Sequence, residues 1–348
     1  MKCKTSCSNL GCSHLFIFIV LLSFFAILWN EFLGHSFRRK IFFPLFGFPN
    51  TSSIDPADLV TITPCSSWYS QNTTPTILKL SQNPNIFLTL EGDWWHLPNI
   101  VSYNLPYGIK GNENLVRQIL VQTKSNMPEK INGLVCKRCV VVGNGNTLKN
   151  SLLGEVINKY DIVIRLNNAP VRGYEKDVGN KTTLRFFYPE SAIEDLSGEN
   201  NPDMLFVLVP FKTVDLLWLK ELVYNKRGIR NGFWRRPPII KKLDISKLRI
   251  LSPFYLYQAT TELLKKADFT AREAPYATTG FLAVTVALNY CDEVHLAGFG
   301  YPINQKTGLI HYFDNVKMEF MFSSMHNVMK EDLLLRKLQK AEIIKYLT

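Results

Sequence analysis

The chain has 348 residues, 46% hydrophobic and 20% charged, enough for one large domain plus shorter accessory segments and too balanced for low-complexity disorder. Forty Lys and Arg against 29 Asp and Glu give a formal charge of +11, which suits an anionic partner: nucleic acid, a membrane surface or a small acidic ligand. The basic residues are spread along the chain without aromatic interleaving, which argues against a nucleic-acid binder.

In chain order, a short tail (1–14) precedes an apolar run over 15–29, broken only by Ser23, that reaches spanning length with Phe32 and Leu33. About 20 helical residues cross a bilayer core. Residues 15–33 are therefore expected to form a transmembrane signal anchor. A cleaved signal peptide is the competing reading, and Ile27-Leu28-Trp29-Asn30 offers it no small-residue cleavage site. Lys2 and Lys4 on one side and Arg38-Arg39-Lys40 on the other leave orientation unset.

Cys3, Cys7 and Cys12 precede the span, as free thiols or palmitoylation sites, while Cys65, Cys136, Cys139 and Cys291 follow it. Four cysteines beyond an anchor allow two disulfides and so an oxidising compartment. Glycosylation sequons at Asn50, Asn72 and Asn180 favour the same lumenal placement. Residues 34–85, with recurrent prolines among Ser, Thr and Asn, read as a stem leading to a domain over 86–348.

From Cys136 onward short apolar runs alternate with helical stretches. Strands are expected over 139–143, 160–166, 183–188, 204–209 and 293–297, and helices over 214–223, 254–266, 279–288 and 332–345. That alternation predicts a single α/β domain with a mainly parallel sheet flanked by helices.

Ligands of such sheets bind beyond the carboxyl ends of the strands. Gly143-Asn144-Gly145 follows the first strand and is expected to enter a helix, its glycines letting a phosphate or ribose approach the backbone. Asn144 and Asn167 fall at two strand ends, where their amides either hold a pyrimidine nucleotide or simply cap turns. Thr278-Thr279-Gly280 opens a helix and reads as an anion site or an N-cap.

Only six histidines occur, and His311 and His326 lie in the last forty residues. Glu331, five residues after His326, can orient its ring if a bend brings the two together; an incidental surface histidine is the plainer reading. Cys136-x-x-Cys139 has no second pair for zinc, and no Asp-x-Asp offers a metal the usual phosphate-bridging ligands.

Cys136 through Thr183 resembles the long sialylmotif of the animal sialyltransferases, and Thr278 to Gly300 the short one. His311-Tyr312-Phe313-Asp314 is similar to motif III and His326-x4-Glu331 to the very short motif. Leu105-Pro106-Tyr107-Gly108, Arg165-Leu166-Asn167-Asn168-Ala169-Pro170 and Gly232-Phe233-Trp234 are most similar to the β-galactoside α-2,3 subgroup, its fourth type in particular.

The resemblance implies a modified GT-A-like, Rossmann-type single domain in the Golgi membrane, type II. Its reaction would be inverting transfer of sialic acid from CMP-sialic acid to the 3-hydroxyl of a terminal β-galactose on a glycoprotein or glycolipid, without metal or other cofactor. It implies that Asn144, Asn167, Tyr188, Thr278, Thr279, Gly280 and Gly300 bind the donor, that His326 is the general base and that His311 meets the departing phosphate. It pairs Cys139 with Cys291 and Cys65 with Cys136. Ala277 departs from the proline usual in relatives. A transferase of another linkage, or a lumenal binding protein of this fold without turnover, are the competing readings. Oligomeric state is not encoded in these motifs.

Overall fold

Val140, Val141 and Val142 stand in an inner strand of the sheet, where β-branched side chains pack on both faces. The computed structural model describes residue 65 and residues 85–91, 98–196, 201–226, 228–241, 243–264 and 276–348. The chain divides into two units, Met1–Ser52 and Ser53–Thr348, and every described residue belongs to the second. The expected tail, anchor and most of the stem, with Asn50 and Asn72, lie outside the described residues. Among the described residues no helix is long and apolar enough to cross a membrane.

Seven strands form one sheet: β1 (Arg138–Val142), β2 (Ile162–Leu166), β3 (Leu184–Phe187), β4 (Leu205–Leu208), β5 (Leu248–Ile250), β6 (Glu293–Ala297) and β7 (Lys345–Tyr346). Their order is β5-β4-β3-β2-β1-β6-β7, and every neighbouring pair is parallel. Cys139 and Val141 pack into the core on one face, Val140 and Val142 into the core on the other, as a two-residue period requires.

The helices that matter for the site are α1 (Glu113–Leu120), α2 (Gly154–Asn158), α3 (Thr213–Val223), α4 (Phe254–Tyr257), α5 (Thr279–Tyr290), α6 (Met318–Phe322) and α7 (Val328–Lys340). In α5 every residue from Phe281 to Leu288 is buried, so this helix has no solvent face and crosses β1, β2, β3 and β6 inside the core. The α/β expectation holds, and all five expected strands form.

Four details differ. The stretch expected as one helix over 254–266 is α-helical only in α4 and continues as a π-helix over Gln258–Leu263; this segment includes the wholly buried Gln258, whose Oε1 accepts from Asn289 at 2.8 Å. The last helix starts at Val328, capped by Asn327, and ends at Lys340. Ile343 and Ile344 then enter the core, and the chain closes as β7. After β1 the chain makes only a 3₁₀ turn, Asn146–Leu148, and no full helix.

Candidate active site

Relative to β1, the chain builds β2 to β5 toward one edge and β6 and β7 toward the other, so the direction reverses between β1 and β6. A crevice is expected at that point, beyond the strands' carboxyl ends. A cavity of about 740 Å³ lies there, lined by the turns after β1, β2, β3 and β6, the start of α5 and the segment around α6 and α7. It gathers Asn144, Asn167, Tyr188, Thr278, Thr279, Gly280, Gly300, His311, His326 and Glu331, every residue expected there from sequence.

The glycines after β1 line the cavity and also meet a packing demand. A Cβ on Gly143 or Gly145 would collide with the carbonyl oxygen of Gly298 on the neighbouring turn. Gly145 N–H donates to that same carbonyl at 2.9 Å, so these glycines let two backbone turns cross. The crossing presents Asn144 to the cavity, its backbone oxygen accepting from Tyr312 N–H at 3.0 Å. Asn144 Oδ1 is buried with no hydrogen-bond partner among the described residues, the state of an acceptor built for a donor group.

Asn167 ends β2 in the left-handed region, φ 53°, which asparagine tolerates better than most residues. Its Oδ1 accepts from Ser191 Oγ at 3.0 Å, which leaves the amide N–H groups to point elsewhere. The buried Arg185 guanidinium holds the same turn by donating to the Asn167 and Ala169 carbonyls. Ser191 also accepts from Tyr188 N–H at 3.0 Å, linking two of the expected donor residues. Gly300 has φ 99°, a conformation other residues rarely adopt.

His326 lies just before α7. Its Nδ1 is 2.9 Å from the Tyr276 carbonyl, which can only accept, so Nδ1 carries the proton and Nε2 is the free base. Burial holds the ring below the usual histidine range, opposed in part by the Tyr276 bond. His311 Nδ1 meets both carboxylate oxygens of Asp314, at 3.0 and 2.9 Å, and its ring stacks on Phe313 at 5.1 Å. Asp314 thus orients His311 and directs the ring's Nε2 away from the carboxylate.

Glu331 does not orient His326. Its carboxylate instead accepts from Thr278 N–H and Oγ–H, both at 2.7 Å, because α7 runs past the start of α5. Burial pushes this carboxyl up to about 7 although both Thr278 bonds pull it down. Thr278 is correspondingly an N-cap, its Oγ accepting from Phe281 N–H at 3.1 Å. Thr279 and Gly280 occupy the first helical positions, where N–H groups have no acceptor inside the helix.

An aromatic wall went unread in the sequence: Phe211, Trp234 and Tyr276 line the cavity beside Tyr188, with ring centroids 5.3 to 5.8 Å apart. Lys212 and Glu190 support it from behind. Lys212 Nζ is 2.8 Å from Glu190 Oε1 and 3.0 Å from Asp215 Oδ1, and Glu190 Oε1 also accepts from Trp234 N–H at 2.8 Å. Trp234 belongs to a segment noted for its resemblance but not for a site, and the wall comes from three separate segments.

The four described cysteines pair Cys139–Cys291 and Cys65–Cys136, with Cα–Cα distances of 6.0 and 5.5 Å, so Cys136 and Cys139 form neither a redox pair nor a zinc half-site. Asn180 is exposed on the turn before β3.

A parallel α/β sheet with a polar and aromatic crevice at its topological switch point defines a nucleotide-binding type of α/β protein. The chain belongs to glycosyltransferase family 29 (sialyltransferase), whose description matches residues 91–343. It is 48% identical over 270 residues to the Homo sapiens CMP-N-acetylneuraminate-beta-galactosamide-alpha-2,3-sialyltransferase 4, covering 77% of this chain and 81% of that one. It is 43% identical over 244 residues to the Rattus norvegicus CMP-N-acetylneuraminate-beta-1,4-galactoside alpha-2,3-sialyltransferase, covering 69% of this chain and 65% of that one. The crystal structure of a mammalian sialyltransferase in complex with Gal-beta-1-3GalNAc-ortho-nitrophenol superposes with a TM-score of 0.62 at 28% identity, over 81% of this chain and 98% of that one.

Proposed function

We propose that the protein transfers sialic acid from CMP-sialic acid to the 3-hydroxyl of a terminal β-galactose, with N-acetyllactosamine-type glycans as the favoured acceptors. The observation that carries this reading is the tautomer of His326, whose Nδ1–H is held by the Tyr276 carbonyl and whose Nε2 is left as a base at the cavity. Both α-2,3-sialyltransferase relatives named above support the linkage.

His326 Nε2 takes the proton of the galactose hydroxyl as its oxygen attacks the anomeric carbon. The bond to CMP breaks in the same displacement, inverting that centre. His311, oriented by Asp314, faces the departing phosphate, and the helix-start N–H groups of Thr279 and Gly280 add donors there. Asn144 Oδ1 accepts from the nucleotide, while Asn167 offers it amide N–H groups. Tyr188 and Gly300 complete the donor site. Thr278 and Glu331 act through position, tying α5 to α7. With these groups meeting the phosphate, the reaction is assigned no metal.

The enzyme sits in this reading as a single-pass type II protein of the Golgi membrane, anchored by 15–33 with its catalytic domain lumenal. The decisive assay offers CMP-sialic acid and N-acetyllactosamine with EDTA present and reads the product linkage with linkage-specific sialidases. An α-2,3 product that disappears in His326→Ala supports the assignment. CMP binding without turnover on β1-4 and β1-3 acceptors would overturn it.

A further inference from the structure

Thr348 lies outside the cavity lining, yet its side chain touches both of the backbone turns that cross behind Asn144. β7 brings it there. Ile343 and Ile344 enter the core, and β7 then pairs parallel to β6, Lys345 beside His295 and Tyr346 beside Leu296. Leu347 N–H donates to the Leu296 carbonyl at 2.8 Å and carries that register one step further. Parallel strands all end on one side of a sheet, so β7 delivers its next residue to the crevice end.

There the Thr348 hydroxyl accepts from Gly298 N–H at 3.0 Å and from Thr147 Oγ–H at 3.4 Å. A hydroxyl has two acceptor lone pairs, and both are engaged. The peptide unit that gives Thr348 its N–H is the one whose other end, the Ala297 carbonyl, accepts from Gly143 N–H at 2.8 Å. The next carbonyl, of Gly298, accepts from Gly145 N–H at 2.9 Å. Asn144 is therefore strapped on both sides to a turn whose own buried N–H ends on Thr348.

That turn has no side chain to anchor it. Gly298 has φ 71°, and a Cβ there would fall 2.4 Å from Leu148 Cδ1. Its place is set by backbone hydrogen bonds in series, which polarise one another and fix the peptide planes. The group that depends on this setting is the buried Asn144 Oδ1 at the cavity. His326 is held separately, by the Tyr276 carbonyl.

We propose, resting on the donor reading of the cavity above, that Thr348 is a positioning residue for the nucleotide. Its hydroxyl fixes the Gly298 turn, that turn fixes Asn144, and Asn144 meets the donor.

The test is calorimetric titration of the full-length protein with CMP. Thr348→Val keeps the shape and loses both bonds, and should weaken CMP binding about five- to tenfold, the effect of one net hydrogen bond. Thr348→Ser keeps the hydroxyl and should stay within about twofold of the native affinity. In an Asn144→Ala background Thr348→Val should add no further loss, because the residue it positions is gone. The KM for the galactose acceptor should not move. Native affinity in Thr348→Val, an equal loss with and without Asn144, or a Thr348→Ser protein as weak as Thr348→Val overturns the proposal. If Thr348→Val does not fold, Thr147→Val removes the outer bond alone at an exposed position and should cost about twofold in CMP affinity, and no loss there overturns the proposal. A native protein that binds no CMP would instead refute the donor reading itself.

Discussion

The Lys212 ammonium lies 3.8 Å from the centroid of the Trp234 ring while pairing with Glu190, the carboxylate that also holds the Trp234 backbone N–H. One cation thus fixes an exposed indole at the cavity rim from two directions. Glu190 is buried, and so is Asp215, whose carboxyl burial pushes up against the pull of Lys212. Removing the cation leaves both carboxylates without it. Lys212→Met should destabilise the protein by about 3 kcal/mol, with part of the loss recovered in Lys212→Met/Glu190→Gln. Urea unfolding of the two variants tests this, and equal losses in both would show that Glu190 does not depend on Lys212.

In the proposed role of base, His326 would act only while its ring is neutral. Burial holds its pKa below 6.5, so kcat/KM should stay level from neutral pH to below 6.5 and fall only under more acidic conditions. His326→Ala should lower kcat by about 10²–10⁴-fold and abolish that acid limb. A pH–rate profile of both enzymes provides the check, and a limb unchanged in the variant assigns it to another group.

Asp314 should matter through His311. Losing a charge-assisted hydrogen bond costs about 1.5–3 kcal/mol, so Asp314→Asn should lower kcat roughly 10- to 100-fold. The double variant with His311→Ala should be no slower than His311→Ala alone. Additive losses would mean that the two side chains act independently.

Ser191 touches Asn167 and Tyr188 but is absent from the cavity lining. Ser191→Ala should free the Asn167 amide and raise the KM for CMP-sialic acid about fivefold, the ~1 kcal/mol of one net hydrogen bond. The acceptor KM should not move. Steady-state kinetics with each substrate varied in turn separates the two effects.

Glu331 gives stability an unusual pH dependence. Its carboxyl titrates at about 7 in the folded protein and near 4.5 when unfolded, so between those values the native state binds the extra proton. Its contribution therefore strengthens as pH falls from 8 through 7, is complete by about 4.5, and amounts to about 3 kcal/mol at most. Buried His295, held down to about 4, acts in the opposite sense, its contribution lost as pH falls below 6.5. Comparison with Glu331→Gln cancels His295. The melting temperature of the native enzyme relative to that variant should rise between pH 8 and pH 6, and a flat difference would place the carboxyl's pKa elsewhere.

What the sequence reveals follows from how local each signal is. β1 and β2 announce themselves by their β-branched runs, and α5 by a stretch from Phe281 to Leu288 that is apolar except for Thr285. β5 and β7 span three and two residues and are too short to show any period. Asn144, Asn167 and Tyr188 reach the cavity because they follow strands, and Thr278, Thr279 and Gly280 because they open a helix. Roles that depend on a partner far along the chain are illegible: Gly143 answers to Gly298, Glu331 to Thr278, and Tyr276 supplies His326 with a backbone oxygen that no side-chain pattern encodes. The aromatic wall is hidden for the same reason, since Phe211 and Tyr276 are ordinary in their own neighbourhoods and nothing local in Gly232-Phe233-Trp234 says that its indole meets them.

The placement of β6 beside β1 sets a timetable for biosynthesis. Cys139 bonds Cys291 across 152 residues, and the edge of β1 that receives β6 stays uncovered until those residues have been made. At about 5–20 residues per second a nascent chain holds that thiol and strand edge open for roughly 8–30 s. Throughout the interval Cys65 and Cys136, which belong to each other in the finished protein, are already translated. Correct pairing therefore depends on the Cys139 thiol remaining uncommitted while the rest of the domain emerges, and a chain stopped short of Cys291 can complete neither the sheet nor the crevice.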